Sequence, residues 1–332
     1  MNSNARTITK TPHKDDIIQV RVAGRKLVGK DIVQLTLESL TGEKLPDWEP
    51  GAHIDVMIPG DSSEPLIRQY SLCGDYHDNF RYEIGVLKTV DSRGGSRFIH
   101  EHFTVGTVIK ISEPRNHFPL VPSSNYVFVA GGIGITPLIP MVRKAIEGRK
   151  PWKFYQLAEN NTRRAFPDIV DNFPKDHTIV HFSDENGMMD LELLAKTFED
   201  DTDVYACGPA GLLDGLATIS ERQDRWRFHC ERFSPREFYD AEEDKSFTVV
   251  IDSSGDKVLV PPGKSCLQSL REHGLKLDWS CKEGVCGTCE TDVLEGVPEH
   301  RDSVLTAEER ASNESMMICV SRAKTSYIKL RL

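Results

Sequence analysis

Hydrophobic and polar positions divide the chain into three stretches of different period. From about Ile17 to Leu120, short apolar–polar alternations (IIQVRVAGRKL, DIVQLTLESL, HIDVMIP, FRYEIGVLK, TVIKIS) are broken by Gly, Pro and Asp. A period of two buries one face of each run, and brief strands at close spacing predict a small antiparallel barrel. From Asn125 to about Phe233 the pattern changes. YVFVAGG precedes PLIPMVRKAIEG, WKFYQLAE precedes a polar turn and helix, TIVHFSD precedes LELLAKTFED, and DVYACGP precedes GLLDGLATISE. Strands alternating with helices predict a parallel sheet. The acidic, apolar-poor stretch Asp240–Lys245 reads as a linker to a third unit ending at Leu332. The expected organisation is a flexible tail over 1–16, a barrel over 17–122, a second domain over 123–239, a linker over 240–245 and a third domain over 246–332. The fold class is multidomain, α/β plus β.

Composition narrows the functions this layout can serve. A chain of 332 residues is long enough for two or three domains with their own cores. Its net charge of −10 argues against a nucleic-acid partner, since phosphate binding needs a basic face. The most apolar stretch, Tyr126 to Val142, is interrupted by Gly131, Gly132, Gly134, Pro137 and Pro140, so it predicts strand, glycine loop and helix start rather than a membrane span. The polar N-terminus lacks the apolar core of a signal peptide. The expectation is a soluble, cytoplasmic protein.

Candidate chemistry concentrates in four cysteines. Cys281, Cys286 and Cys289 fall in SCKEGVCGTCE, and Cys319 follows in MMICVSRAK. The spacing C-x4-C-x2-C with a distant fourth Cys is the plant-type 2Fe–2S pattern, four thiolates holding two irons. Gly284 and Gly287 permit the sharp turns such a loop needs. Zinc is the competing reading, but its sites usually show two CxxC-like pairs, and this loop has one. Cys73, Cys207, Cys230 and Cys266 are scattered and read as reduced thiols of a cytosolic protein.

Two further motifs lie on strand ends. In VAGGIGITP, Val129–Pro137, an apolar strand opens through glycines onto a helix, so backbone N–H groups and the helix dipole can face a pyrophosphate. The spacing is not a strict G-x-G-x-x-G, and an ordinary tight turn is the alternative. A second loop, Cys207-Gly208-Pro209, sits at a later strand end of the same sheet, where ligands of such sheets bind. Cys207 is either a packed strand-end thiol or a group shaping chemistry beside a nicotinamide. In the barrel, Arg68-Gln69-Tyr70-Ser71-Leu72 places Arg68 and Tyr70 on one strand face and Ser71 on the other. Gly94-Gly95-Ser96 before RFIHEHF reads as a phosphate nest, or as a helix capped by Ser96.

The ordered set RQYSL, GVLK, SRGGS, SEPRNHFPL, VAGGIGITP, YACGP and CKEGVCGTCE resembles the phthalate dioxygenase reductase family from about Ile17 to Leu332. The resemblance implies an antiparallel flavin-binding barrel, a Rossmann-like parallel-sheet NAD domain and a C-terminal β-grasp 2Fe–2S ferredoxin domain. It implies FMN rather than FAD, and delivery of electrons from NADH to a separate oxygenase component of a Rieske-type non-haem iron system. By position, Arg68, Gln69, Tyr70 and Ser71 would contact the flavin, with Ser71 toward its reactive edge. Val86, Leu87 and Lys88 would line the ring by backbone and side chain, and Gly94, Gly95 and Ser96 would hold the phosphate. Gly131, Gly132, Gly134, Thr136 and Pro137 would form the dinucleotide loop, with Cys207, Gly208 and Pro209 near the nicotinamide. Ser71 and Cys207 are the residues expected beside the reacting atoms. Phe233 would stack near the flavin where the second and third domains meet, or serve as a core aromatic. Cys281, Cys286, Cys289 and Cys319 would be the cluster ligands.

One departure bears on cofactor choice. Relatives often carry Arg after the second strand of the middle domain; here Glu159 stands there. An acidic group can accept a hydrogen bond from the ribose 2′-hydroxyl and repels a 2′-phosphate, which favours NADH over NADPH. Arg163 and Arg164 nearby could instead bind a phosphate. NADH yields a hydride, which a one-electron cluster cannot accept, so a flavin belongs between the two.

Overall fold

The computed structural model describes residues 17–59, 65–89, 94–235 and 244–332. The expected tail, Ser92 and Arg93 of SRGGS, and residues 240–243 of the expected linker lie outside them. The chain divides into two compact units, Asp16–Phe233 and one built on Ser234–Leu332.

Six strands open the first unit: β1 (Ile17–Leu27), β2 (Ile32–Ser39), β3 (His53–Ile58), β4 (Leu66–Ser71), β5 (Arg81–Leu87) and β6 (Val108–Ser112). Their order is β4-β3-β6-β1-β2-β5, and every pairing is antiparallel. A bridge between Leu72 and Ile84 brings the two edges together, so the sheet is a near-closed barrel. The alternating positions meet inside it as a core that includes Val20, Leu35, Ile54, Val56, Tyr82 and Ile84. Helix α1 (Gly95–His102) buries Ile99 in that core.

A parallel sheet follows: β7 (Asn125–Gly131), β8 (Trp152–Ala158), β9 (Thr178–Phe182), β10 (Thr202–Cys207) and β11 (Trp226–Glu231), in the order β11-β10-β7-β8-β9. Between them run α2 (Ile135–Glu147), α3 (Pro167–Val170), α4 (Ser183–Asn186), α5 (Leu191–Lys196) and α6 (Ala210–Ser220). Both sheet faces are covered, which is why β7 reads as an unbroken apolar run. Val127 and Val129 face a core with Leu213 and Leu216, while Phe128 and Ala130 face one shared with the barrel residues Val28, Ile32 and Phe118. That shared core joins barrel and sheet into one unit. Strand order reverses between β7 and β10, and in such sheets ligands bind outside the strand ends at this switch point.

The second unit contains β12 (Phe247–Ile251), β13 (Lys257–Val260), α7 (Cys266–Glu272), β14 (Glu290–Glu295), β15 (Pro298–Glu299), α8 (Ala307–Ser312), β16 (Ser315–Met317), β17 (Arg322–Ala323) and β18 (Tyr327–Leu330). Its mixed sheet runs β13-β12-β18-β14-β16, with β12 and β18 parallel. Asp244, read from sequence as linker, has its carboxylate 2.9 Å from Arg301 and accepts from the Gly263 N–H at 3.1 Å, so this residue is anchored to the second unit. Among the described residues no helix is long and apolar enough to cross a membrane.

Candidate functional site

Strand β4 supplies the barrel's share. Across from it on β3, Val56 opposes Arg68 and Ile54 opposes Tyr70, whereas Asp55 opposes Gln69 and His53 opposes Ser71. Arg68 and Tyr70 therefore leave the sheet on the core side and Gln69 and Ser71 on the other, as alternation requires. Arg68 lies against the start of α1: a Cβ on Gly95 would come within 3.0 Å of its Cγ and 3.1 Å of its Nε. Glycine at 95 leaves room for that side chain, so a guanidinium stands beside a helix N-terminus, two features that both favour phosphate. Gly94, at φ 94°, holds the cap position with no side-chain cap. Ser96 sits in the first turn instead of capping it, and its Oγ accepts from the Thr89 N–H at 3.3 Å. Tyr70 is half-buried, and burial raises its hydroxyl pKa against the pull of Arg68.

Two residues expected at the flavin are engaged elsewhere in the fold. Val86 is fully buried, its side chain packs into the barrel core, and its carbonyl oxygen lies 2.9 Å from His100 Nε2. Gln69 donates through Nε2 to Asp55 Oδ1 at 2.8 Å, and Arg115 Nη2 lies 2.7 Å from the same oxygen with both charged side chains buried. Gln69 thus serves a buried ion pair behind the strand. His53 joins that group; burial, then the Arg115 charge, lowers its pKa to about 3, so it stays neutral. Leu87 packs against the core shared with the sheet, and Lys88 is exposed with its Nζ 3.7 Å from Glu101.

The two glycine motifs of the sheet meet at the switch point. A Cβ on Gly134 would lie 2.2 Å from the Cys207 carbonyl oxygen, and one on Gly131 would lie 2.5 Å from Pro209 Cδ. The loops after β7 and β10 therefore pack backbone to backbone. Gly132, at φ 55°, would meet nothing within 4 Å, so its backbone faces open space where a pyrophosphate could approach. Thr136 turns away: its hydroxyl donates to Ile133 O at 3.0 Å and its methyl faces Gly85 of the barrel. Pro137 is buried in the first turn of α2, and Gly208 abuts Gly131.

Cys207 closes β10 in register with Ala130 on one neighbour and Glu231 on the other. Burial, then the Glu231 and Cys230 charges, pushes its pKa well up, so it is a neutral thiol. The pattern-based reading missed Glu231. Ser71 Oγ donates to Glu231 Oε2 at 3.3 Å, bridging barrel strand β4 and sheet strand β11. Burial raises this carboxyl to about 8 while the Ser71 bond pulls the other way, so it holds a proton near neutral pH. Ser71, Cys207 and Glu231 thus form a small group at the junction of barrel and sheet, and perturbed acids in such junctions are candidates for function. Phe233 is 42% exposed, which rules out the core-aromatic alternative. Glu159 follows β8, its carboxylate 2.9 Å from Arg163 Nε.

In the second unit the four cysteines gather between the β14 edge and the end of β16. Cys286, Cys289 and Cys319 are buried and Cys281 is half-buried. Cys281 is within hydrogen-bond reach of Cys286 and Cys319, and Cys319 of Cys289. Hydrogen bonding to Cys281, then burial, pushes the Cys286 thiol well up, so bound metal would have to displace that proton. Gly284, at φ 68°, has no room for a Cβ, which would lie 2.6 Å from Val320 Cγ2. Its carbonyl accepts from the Ser303 N–H at 2.8 Å, and the Ile318 N–H donates to Cys289 O at 3.3 Å. Three sulfurs on this loop and the Cys319 sulfur after β16 match in number and kind the thiolate set of a 2Fe–2S cluster, and the Glu283 N–H points to Cys281 Sγ at 3.3 Å.

Comparison with known proteins agrees with this layout. Residues 249–324 match the 2Fe–2S iron–sulfur cluster binding domain family. The chain is 38% identical over 325 residues to vanillate O-demethylase oxidoreductase of Pseudomonas sp. (strain HR199 / DSM 7063), covering 95% of this chain and 100% of that one. Other relatives of similar coverage are reductase subunits of monooxygenase and dioxygenase systems. Among solved structures, phthalate dioxygenase reductase, described as a modular structure for electron transfer from pyridine nucleotides to [2Fe–2S], superposes with a TM-score of 0.68 at 31% identity over 97% of this chain and all of that one. An intact type IV self-sufficient cytochrome P450 monooxygenase superposes with a TM-score of 0.86 at 38% identity, covering 98% of this chain but 43% of that longer one.

Proposed function

The chain belongs to the phthalate dioxygenase reductase family of oxygenase reductases, and from that premise we propose that it takes electrons from NADH and passes them to a separate oxygenase of the Rieske-type non-haem iron class. FMN held by the barrel and a 2Fe–2S cluster held by Cys281, Cys286, Cys289 and Cys319 would supply the electron carriers. The observation that carries this reading is the junction at the ends of β7 and β10, where the two glycine loops pack together beside the Ser71–Glu231 bridge.

Arg68 and the first turn of α1 would hold the flavin phosphate, and Tyr70, on the same strand face as Arg68, would contact the cofactor. Gly132 leaves backbone open to a dinucleotide, while Gly131 and Gly134 let the second loop, with Gly208 and Pro209, pack tightly against the first. Cys207, a buried neutral thiol, packs the end of β10 behind the second loop without adding charge beside the nicotinamide site. Ser71 and protonated Glu231 hold a proton where hydride chemistry would change the charge of the reacting ring. Phe233, exposed at the end of the first unit, would be free to stack on that ring. A bound flavin supplies the change from two-electron to one-electron transfer; the residues orient, shield and tune it.

Replacing one cluster ligand tests the relay. In Cys289→Ser, the 2Fe–2S absorbance and electron paramagnetic resonance signal should be lost or altered, NADH-driven ferricyanide reduction should continue, and oxygenase reduction should collapse. Oxygenase reduction at the wild-type rate would put the cluster off the pathway. A cytochrome P450 acceptor is the second reading, favoured by the high superposition on the self-sufficient monooxygenase. Reduction of a P450 in place of the Rieske component would select it.

A further inference from the structure

Beyond β8 the chain makes a turn whose shape does not depend on its charged side chains. Asn160 Oδ1 accepts from the Arg163 N–H at 3.1 Å and from the Thr162 hydroxyl at 2.7 Å. The Glu159 carbonyl accepts from the Asp184 N–H at 3.0 Å. On this fixed backbone, Glu159 Oε2 and Arg163 Nε lie 2.9 Å apart, with side chains 57% and 51% exposed. Glu159 is the one side chain that the Arg163 guanidinium meets among the described residues. Arg164, the other cation of the turn, is buried, with Nε on Gln156 Oε1 at 3.0 Å and Nη2 on Asp171 Oδ1 at 2.8 Å. Arg164 is structural, which leaves Arg163 as the guanidinium of this turn able to meet a ligand.

We propose that Glu159 and Arg163 form a two-part selector at the 2′ position of the adenosine ribose. This rests on the dinucleotide reading of the β7–β10 switch point. Glu159 accepts a hydrogen bond from a 2′-hydroxyl. It also holds Arg163 and places a negative charge against the guanidinium, so a 2′-phosphate meets a neutralised cation and a repelling carboxylate. Arg163 has the fork geometry that binds phosphate through two parallel N–H bonds. Neutralising Glu159 therefore does more than weaken the hold on a hydroxyl: it releases a phosphate reader already in position. The gain for a 2′-phosphate depends on Arg163, which a model based on repulsion by Glu159 alone does not require.

Binding of adenosine 5′-diphosphate and of adenosine 2′,5′-bisphosphate to the full-length protein, measured by calorimetry, separates these cases without turnover. Wild type should bind the 5′-diphosphate about tenfold or more tightly than the 2′,5′-bisphosphate. Glu159→Gln should raise affinity for the bisphosphate by about tenfold, with NADPH rising in kcat/KM to match. Glu159→Gln/Arg163→Ala should lose that gain, and Arg163→Ala alone should keep the wild-type preference. No gain in Glu159→Gln, or an equal gain in the double variant, overturns the selector while binding of the 5′-diphosphate leaves the dinucleotide site standing. If wild type binds neither nucleotide, the site reading itself falls and the selector with it.

Discussion

Glu231 has a cost to the fold that pH should expose. Its carboxyl ordinarily titrates near 4.5 and is raised to about 8 by burial at the end of β11. Below 4.5 it is protonated in both folded and unfolded chains and favours neither. Between 4.5 and 8 the unfolded chain ionises while the folded one holds its proton, so stability falls as pH rises through this window and levels off above it. At about 1.4 kcal/mol per unit, the ceiling is roughly 5 kcal/mol. Partial exposure of the residue lets water offset part of this, and about 2–4 kcal/mol is the expectation. Glu231→Gln keeps the shape and can still accept from Ser71, but has nothing to ionise. Urea unfolding of the first unit, followed by flavin fluorescence, should show wild type and variant equal at pH 4.5. The variant should be more stable by about 2–4 kcal/mol at pH 8.5. Hydride transfer from NADH, measured by stopped flow, should lose an inflection near pH 8 in the variant. A stability difference that does not change between these pH values would refute a buried, proton-holding Glu231.

Other perturbations test separate joints of the site. Arg68→Ala should purify with little flavin while keeping its iron–sulfur absorbance, because a charge-assisted phosphate contact worth about 1.5–3 kcal/mol is lost; full flavin occupancy would make Arg68 a mere strand residue. Gly134→Ala should cost more than Gly132→Ala in melting temperature and in NADH affinity, although Gly132 has the positive φ. The new methyl at 134 would lie 2.2 Å from the Cys207 carbonyl oxygen, rigid backbone that cannot yield, whereas at 132 it would meet open space and incur about 1–2 kcal/mol of backbone strain. The reverse order would mean that the two loops are not packed as described.

Much of this protein is written in local pattern. Period-two runs foretold the barrel strands, the apolar run YVFVA before a glycine loop foretold a strand of a parallel sheet, and the spacing of Cys281, Cys286 and Cys289 foretold a thiolate loop, because each signal lies within a few neighbouring residues. The alternation on β4 likewise separated Arg68 and Tyr70 from Ser71 before any partner strand was known. Tertiary structure alone decided what those residues face. Gln69 sits between two candidate flavin residues in sequence, yet Asp55 of the neighbouring strand claims it. Val86 sits in a motif but points into the barrel core. Arg163 and Arg164 are adjacent and chemically alike; one is tied to Asp171 and buried, the other is held by Glu159 in solvent. Glu231 in sequence is one acid among many, and only the parallel register with Cys207 and the approach of Ser71 from the barrel make it a proton-holding group. Periodicity records which side of an element is buried, whereas the identity of the neighbour depends on strand order and crossovers, which bring together residues as distant as Ser71 and Glu231.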